Sequence, residues 1–233
     1  MMQDSPNLRR MLIHYARQLT ETGLTRNTSG NLSHRVETGM LVTPSGMDYA
    51  KLDPDDIVLV DHDGEPRGRR LPSSEWHFHQ DILRERPEIE VVLHAHSPFA
   101  TSIACLRQGI PAFHYMVAVA GGDDIRCSPY ATFGTAELSR HAVQALAGRK
   151  ACLLANHGMI ALGSDFEVTL KLAVEVETLA EMYWRARQMG EPVILDHAEM
   201  ARVIEKFRDY GKQPSLEPDG FVPKPESGSN YTK

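Results

Sequence analysis

Two histidines one residue apart, His94 and His96, close the apolar run Val91-Val92-Leu93. On an extended strand, residues i and i+2 share a face, so both imidazoles would point to the same side. A third histidine, His157, stands between Asn156 and Gly158 just after the buried-strand pattern Ala151-Cys152-Leu153-Leu154-Ala155. It too falls at a strand end, where the glycine permits a tight turn. Upstream, Glu75 sits at the start of a capped helical segment, Ser73-Ser74-Glu75-Trp76. Three imidazoles and a carboxylate are the donors of a first-row metal site of catalytic type, and the carboxylate can either ligate or act as acid and base. Each residue also has a plainer reading. The pair can be polar strand-end residues, His157 a structural histidine, and Glu75 a charge complementing the helix dipole. The coincidence of all four is what points to a metal. His77 and His79 lie on the helix of Glu75, and the i,i+4 spacing of Glu75 and His79 makes a rival pair. His14, His34, His62, His114, His141 and His197 show no partner pattern.

Three turn segments, Gly30-Asn31, Ser45-Gly46 and Ser73-Ser74, have the composition to hold an oxyanion. Glycines expose backbone N–H groups, serine and asparagine add donors, and a helix start favours negative charge. Each is also an ordinary turn or cap when taken alone. No Walker motif, G-x-G-x-x-G or G-x-S-x-G is present, so neither a nucleotide fold nor a serine hydrolase has support.

The elements that must carry these residues follow from periodicity. Amphipathic helices are expected over residues 5–24, 75–86, 135–147 and 165–189, with a short one over 97–105 and a last one from His197 to Tyr210 stopped by Gly211. Strands are expected up to Val36, over 40–43, 57–61, 90–94 and 151–155, and a return over 159–162. Residues 110–115 read as extended and 121–129 as irregular. Hairpin-like pairs mixed with helices predict an α/β chain, a single domain whose mainly antiparallel central sheet is flanked by helices. With 233 residues, 42% of them hydrophobic, one domain is expected over residues 1–211, with a mobile, Pro-, Gly- and Ser-rich tail over 212–233. The net charge of −6 argues against nucleic acid or anionic membrane as partners, while a local pocket for a small phosphorylated ligand stays open. Cys105, Cys127 and Cys152 are sparse and scattered, as in a reduced, cytoplasmic protein, and no apolar run reaches membrane-spanning length.

The motifs in combination resemble the class II aldolase/adducin family. The resemblance is carried by Gly30-Asn31, L-V-T-P-S-G over 41–46, L-P-S-S-E-W over 71–76 and His94-Ala95-His96. It continues through I-P-A-F-H-Y-M over 110–116, A-G-G-D over 120–123, P-Y-A-T-F-G-T over 129–135, Asn156-His157-Gly158 and E-K-F-R-D-Y-G over 205–211, so it spans roughly residues 5–211.

That resemblance implies a metal-dependent aldolase. The metal, usually zinc with Mn2+ or Co2+ as alternatives, would be held by His94, His96, His157 and, at rest, Glu75, which swings off to move a proton. Gly30, Asn31, Ser45, Gly46, Ser73 and Ser74 would hold a substrate phosphate. Tyr115, supplied across the interface of a cyclic homotetramer, would exchange the proton of the aldehyde oxygen, while Tyr210 and Phe133 would shape the aldehyde site. The reaction implied is reversible cleavage of a ketose 1-phosphate to dihydroxyacetone phosphate and an aldehyde through a metal-bound enediolate. L-fuculose 1-phosphate and a 5-deoxy- or 5-methylthio-ribulose 1-phosphate are the substrates expected. The chain departs from the family's fuculose-cleaving pattern at Asn156, where that pattern has a histidine, so the aldehyde end is where the substrate is decided. Rival readings are a same-fold sugar-phosphate 4-epimerase or sugar-acid phosphate decarboxylase, and a metal-free, adducin-like interaction module. The epimerase aspartate is missing from Val117-Ala118-Val119-Ala120.

Overall fold

The computed structural model describes residues 2–207. The expectations for Tyr210, for the helix stop at Gly211 and for a tail over 212–233 lie outside the described residues. Helix α1 (Pro6–Glu21) starts at Ser5, whose hydroxyl accepts from the Leu8 amide. Strands β1 (Asn31–Val36), β2 (Gly39–Val42), β3 (Val58–Asp61) and β4 (Pro66–Arg67) follow, then α2 (Trp76–Glu85), β5 (Val91–Ala95) and α3 (Pro98–Cys105). The second half comprises β6 (Arg126–Ser128), α4 (Ala136–Ala145), β7 (Ala151–Leu154), β8 (Gly158–Gly163), α5 (Phe166–Met189) and α6 (His197–Phe207). Thr135 and Asp165 cap α4 and α5 by accepting from Leu138 N and Val168 N, the polar caps that relieve unpaired first-turn donors.

All eight strands form one sheet in the order β4-β3-β2-β1-β5-β8-β7-β6, antiparallel at every step except β6 beside β7. The fold is thus the single-domain α/β arrangement with a mainly antiparallel sheet. Side chains alternate across β5. Val91, Leu93 and Ala95 join a core with α1, α3 and α5, whereas Val92 joins a second core with Phe78 and Ile82 of α2 and Leu138 and Ala142 of α4. His94, two residues on from Val92, therefore lies on the α2/α4 face. Central strands β5, β7 and β8 are buried along their whole length, so the ends that present histidines are rigidly backed.

Two local expectations are corrected. Residues 121–129 are not wholly irregular, because Arg126–Ser128 pairs in parallel with β7. Residues 110–115 do not make a strand. Ile110 alone bridges Ile125, Pro111 has no N–H to extend the ladder, and the chain turns into a 3-10 helix, Tyr115–Ala120. No described helix is long and apolar enough to cross a membrane.

Candidate active site

Glu75 lies just before the first turn of α2 and makes no side-chain cap bond to its own helix. The dipole-complementing reading therefore does not describe its contacts. Its carboxylate turns instead towards the ends of β1, β5 and β8. Oε2 accepts from Asn31 Nδ2 at 3.1 Å and lies 3.3 Å from His94 Nε2, while Oε1 lies 3.1 Å from His157 Nε2. His94 donates from Nδ1 to the Met159 carbonyl at 2.9 Å. That bond fixes the tautomer and leaves the Nε2 lone pair facing His96 Nε2, 2.9 Å away. One donor atom each from Glu75, His94, His96 and His157 lies within 4.8 Å of all the others.

The chemistry of this donor set fits a divalent metal. Neutral imidazole nitrogens turned lone pair to lone pair, with a carboxylate between them, repel unless a cation or a proton sits among them. Donors around a tetrahedral zinc at about 2.1 Å lie roughly 3.4 Å apart, close to the spacings seen here. Burial lowers the pKa of the His94 imidazole to about 3 despite the opposing charge of Glu75. The pKa of His96 is lowered too, by burial and then by His157. Burial would raise the pKa of the Glu75 carboxyl, but the pull of His94 and His157 and the Asn31 amide outweigh it, and the pKa falls well below the ordinary carboxylate range. At neutral pH the set is an anionic carboxylate with at least two neutral imidazoles, the protonation a metal requires. Glu75 Oε1 is buried without a hydrogen bond of good geometry, as suits an atom reserved for a metal.

Two glycines make room for the donors. A Cβ on Gly158 would stand 2.5 Å from the Ala95 carbonyl, 2.9 Å from His96 Cδ2 and 3.1 Å from His94 Cε1, so this glycine exists for close approach. It does not provide the tight turn expected of it; Asn156, at φ 55°, takes the left-handed position. Gly30, at φ 86°, passes so near β5 that a Cβ would meet the His94 carbonyl at 2.8 Å.

A cleft of about 310 Å³ opens over the donors, and Gly30, Asn31, Ser45, Gly46, Ser73, Ser74, Glu75, His96, Phe133 and His157 all line it. Its two serine loops are zipped together, Ser73 N to the Thr43 carbonyl at 3.0 Å and Ser45 N to the Leu71 carbonyl at 3.1 Å. The backbone N–H groups of Gly46 and Ser74 make no hydrogen bond among the described residues, and the Ser73 hydroxyl accepts from Glu75 N at 3.3 Å, which leaves its proton free to donate. The loops can therefore receive an oxyanion. Asn31 joins the cleft, but its amide is already engaged by Glu75 and by His79.

Tyr115 is not brought to this cleft. It is half-exposed, stacks on Phe207 and lines a separate groove with Phe113, Leu195 and Val203. The rival pair of Glu75 and His79 does not form, because His79 is buried against Ser33 and Asn31, away from the donor cluster. His77 stacks on Trp76. Tyr130 and the Arg107–Asn156 pair were missed from sequence. Tyr130 lines the cleft beside Asn156, whose Oδ1 accepts from Arg107 Nε at 2.9 Å and whose Nδ2 donates to the Cys105 carbonyl at 3.3 Å. The aromatic in the P-Y-A-T-F segment was a signal that could have found Tyr130, whereas Arg107 is 49 residues from its partner.

Residues 10–184 match the family described as Class II Aldolase and Adducin N-terminal domain. The chain is 61% identical over 209 residues to the 5-methylthioribulose-1-phosphate/5-deoxyribulose-1-phosphate aldolase of Rhodospirillum rubrum, covering 90% of this chain and 95% of that protein. It is 46% identical over 205 residues to the L-fuculose phosphate aldolase of Escherichia coli K12, covering 88% and 95%. Among solved structures, an L-fuculose 1-phosphate aldolase superposes with a TM-score of 0.85 at 44% identity, covering 88% of this chain and 98% of that one.

Proposed function

The chain belongs to the class II aldolase and adducin family, and from that premise we propose that it is a zinc-dependent aldolase cleaving 5-substituted ribulose 1-phosphates. The observation that carries the reading is the four-donor cluster of Glu75, His94, His96 and His157 at the floor of a cleft walled by oxyanion-receiving loops. Bound there, the metal supplies a Lewis acid for the oxygens that become negative when the C3–C4 bond breaks. Zinc suits imidazole and carboxylate donors in a fourfold set, and Mn2+ or Co2+ accepts the same atoms.

The chain's own groups do the rest. Gly46, Ser73 and Ser74, with Gly30, Ser45 and the second amide hydrogen of Asn31, anchor the 1-phosphate by N–H and O–H donors. This fixes C3 against Glu75. A tyrosine, as its phenolate, removes the C4 hydroxyl proton as the C3–C4 bond breaks and its electron pair stays on the C3 side as the enediolate. Glu75, after taking a proton from water in the cleft, delivers it to C3 to give dihydroxyacetone phosphate, and the tyrosine releases the C4 proton back to water. We assign that tyrosine to Tyr115 of a second copy in a homotetramer; its place in another groove of its own chain supports this reading. Tyr210 is assigned to the aldehyde end with Phe133.

Cleavage between C3 and C4 of a ribulose leaves a two-carbon aldehyde bearing the C5 substituent. The rings of Tyr130 and Phe133 offer that substituent an apolar wall, and Asn156 has both ends of its amide tied to Arg107 and Cys105. A methyl or methylthio group suits such a wall better than the hydroxylated tail of L-fuculose 1-phosphate, and the 61% identical relative carries those substrates in its name. Purified protein given 5-methylthioribulose, 5-deoxyribulose and L-fuculose 1-phosphates, with dihydroxyacetone phosphate assayed, is expected to prefer the first two. Release from none of them, with epimerisation of a pentulose 5-phosphate instead, would overturn the aldolase reading.

A further inference from the structure

Behind the donor cluster runs a buried string of hydrogen bonds whose far members, Ser33 and His79, have no part in the proposed reaction. Ser33 of β1 meets His79 of α2, Oγ to Nδ1 at 2.7 Å. The other ring nitrogen, Nε2, meets Asn31 Oδ1 at 2.5 Å, and Asn31 Nδ2 donates to Glu75 Oε2 at 3.1 Å. Ser33 and His79 are wholly buried, and Asn31 and Glu75 nearly so. The chemistry fixes the direction of every bond. An ionised Glu75 only accepts, so Asn31 must turn its NH2 group to it and its carbonyl oxygen to His79. That oxygen only accepts, so His79 carries its proton on Nε2. Nδ1 is then a lone pair, which the Ser33 hydroxyl satisfies.

We propose that His79, with its tautomer set by Ser33, is a positioning residue for Glu75. Acting through Asn31, it holds the amide in the one orientation that donates to Oε2 and leaves Oε1 free. Without the Nε2 proton, the Asn31 amide gains nothing from that orientation, and its flipped form turns an oxygen towards the carboxylate. His79 is packed flat on Phe78, with Ile82 on the same buried side of α2, where an apolar side chain would serve packing alone. Among the described residues, Ser33 Oγ and the His79 ring make no other hydrogen bond, so the string ends only at the metal-site carboxylate.

The inference rests on Glu75 serving as metal ligand and proton carrier, but its test does not depend on which sugar phosphate is cleaved. His79→Leu keeps bulk and removes the donor, His79→Gln restores an N–H near Nε2, and Ser33→Ala frees the tautomer. Each full-length variant is titrated with Co2+ against a chelator, its visible cobalt spectrum is recorded, and kcat and KM are measured on the zinc-loaded protein. For His79→Leu we expect metal affinity and kcat each to fall about 10–100-fold with KM within about threefold, and the cobalt bands to change. His79→Gln should return to within about fivefold of the parent with its cobalt spectrum, and Ser33→Ala should fall between the two. If His79→Leu does not fold, the comparison of Ser33→Ala with His79→Gln decides. Parental affinity, spectrum and kcat in Ser33→Ala, or equal impairment of folded His79→Gln and His79→Leu, would overturn the proposal.

Discussion

In the proposed reaction Glu75 must be anionic to hold a metal and yet be able to give a proton to carbon. Its surroundings divide these tasks between its oxygens. Oε2 is fixed by Asn31, while Oε1 faces His157 without a well-formed hydrogen bond. Glu75→Gln keeps the shape and the Oε2 contact region but cannot exchange the proton. Metal content by elemental analysis should stay near stoichiometric while turnover drops on the order of 10²–10⁴-fold. Near-parental turnover would remove Glu75 from its assigned role. The same burial that shapes the site makes the fold acid-sensitive. The pKa of His79 is pushed down to about 3 by burial, against the charge of Glu75. The unfolded chain, with an ordinary histidine pKa near 6.5, binds the extra proton first, so this stability is complete above that pH and is lost as pH falls towards 3. Between pH 6.5 and 5 the loss should be about 2 kcal/mol from this residue, read from urea midpoints of the metal-free protein. In His79→Gln that slope should flatten by about one proton; an unchanged slope would mean that His79 is not the group responsible.

At the scale of elements, the donors arrive on the start of α2, the end of β5 and the turn between β7 and β8. That turn leaves β8 beginning so close to β5 that position 158 has no room for a side chain. Gly158→Ala should leave circular dichroism close to the parent but press on the rings of His94 and His96, lowering metal affinity about 10–100-fold by chelator competition. Parental affinity would show that the β5–β8 edge yields more readily than its contacts suggest. Much of this was legible in the sequence because it is local. The His-x-His pair lies on one face through the period of two, and caps such as Ser5, Thr135 and Asp165 announce their helices. What stayed hidden depends on distant partners or on brevity. Strand β6 has three residues, too few for alternation to show, and is a strand only because β7 lies beside it. His79 looked like a ligand at i,i+4 from Glu75, but its partners Ser33 and Asn31 come from 46 and 48 residues away.

For the molecule as a whole, the cleft holds the metal donors and the anion-receiving loops but not its own Tyr115. If a second copy completes the site, two inactive variants should rescue each other. Glu75→Gln and Tyr115→Phe subunits, dissociated, mixed in equal amounts and reassembled, should regain about a quarter of parental activity, since random pairing gives that share of intact sites. Recovery no greater than the sum of the separate variants would place Tyr115 outside the reaction.

The pairing of β5 with β8 sets His94 opposite Ile160 and Ala95 opposite Met159. A slip of β5 by one residue would turn His94 to the face covered by α1, α3 and α5 and carry His96, just beyond the strand, out of place, and the fourfold donor set would cease to exist. A metal at this centre is thus a ligand of one strand register alone. By linkage its stabilisation would go to correctly registered chains and not to misregistered ones, so loading the metal would act as a check on folding.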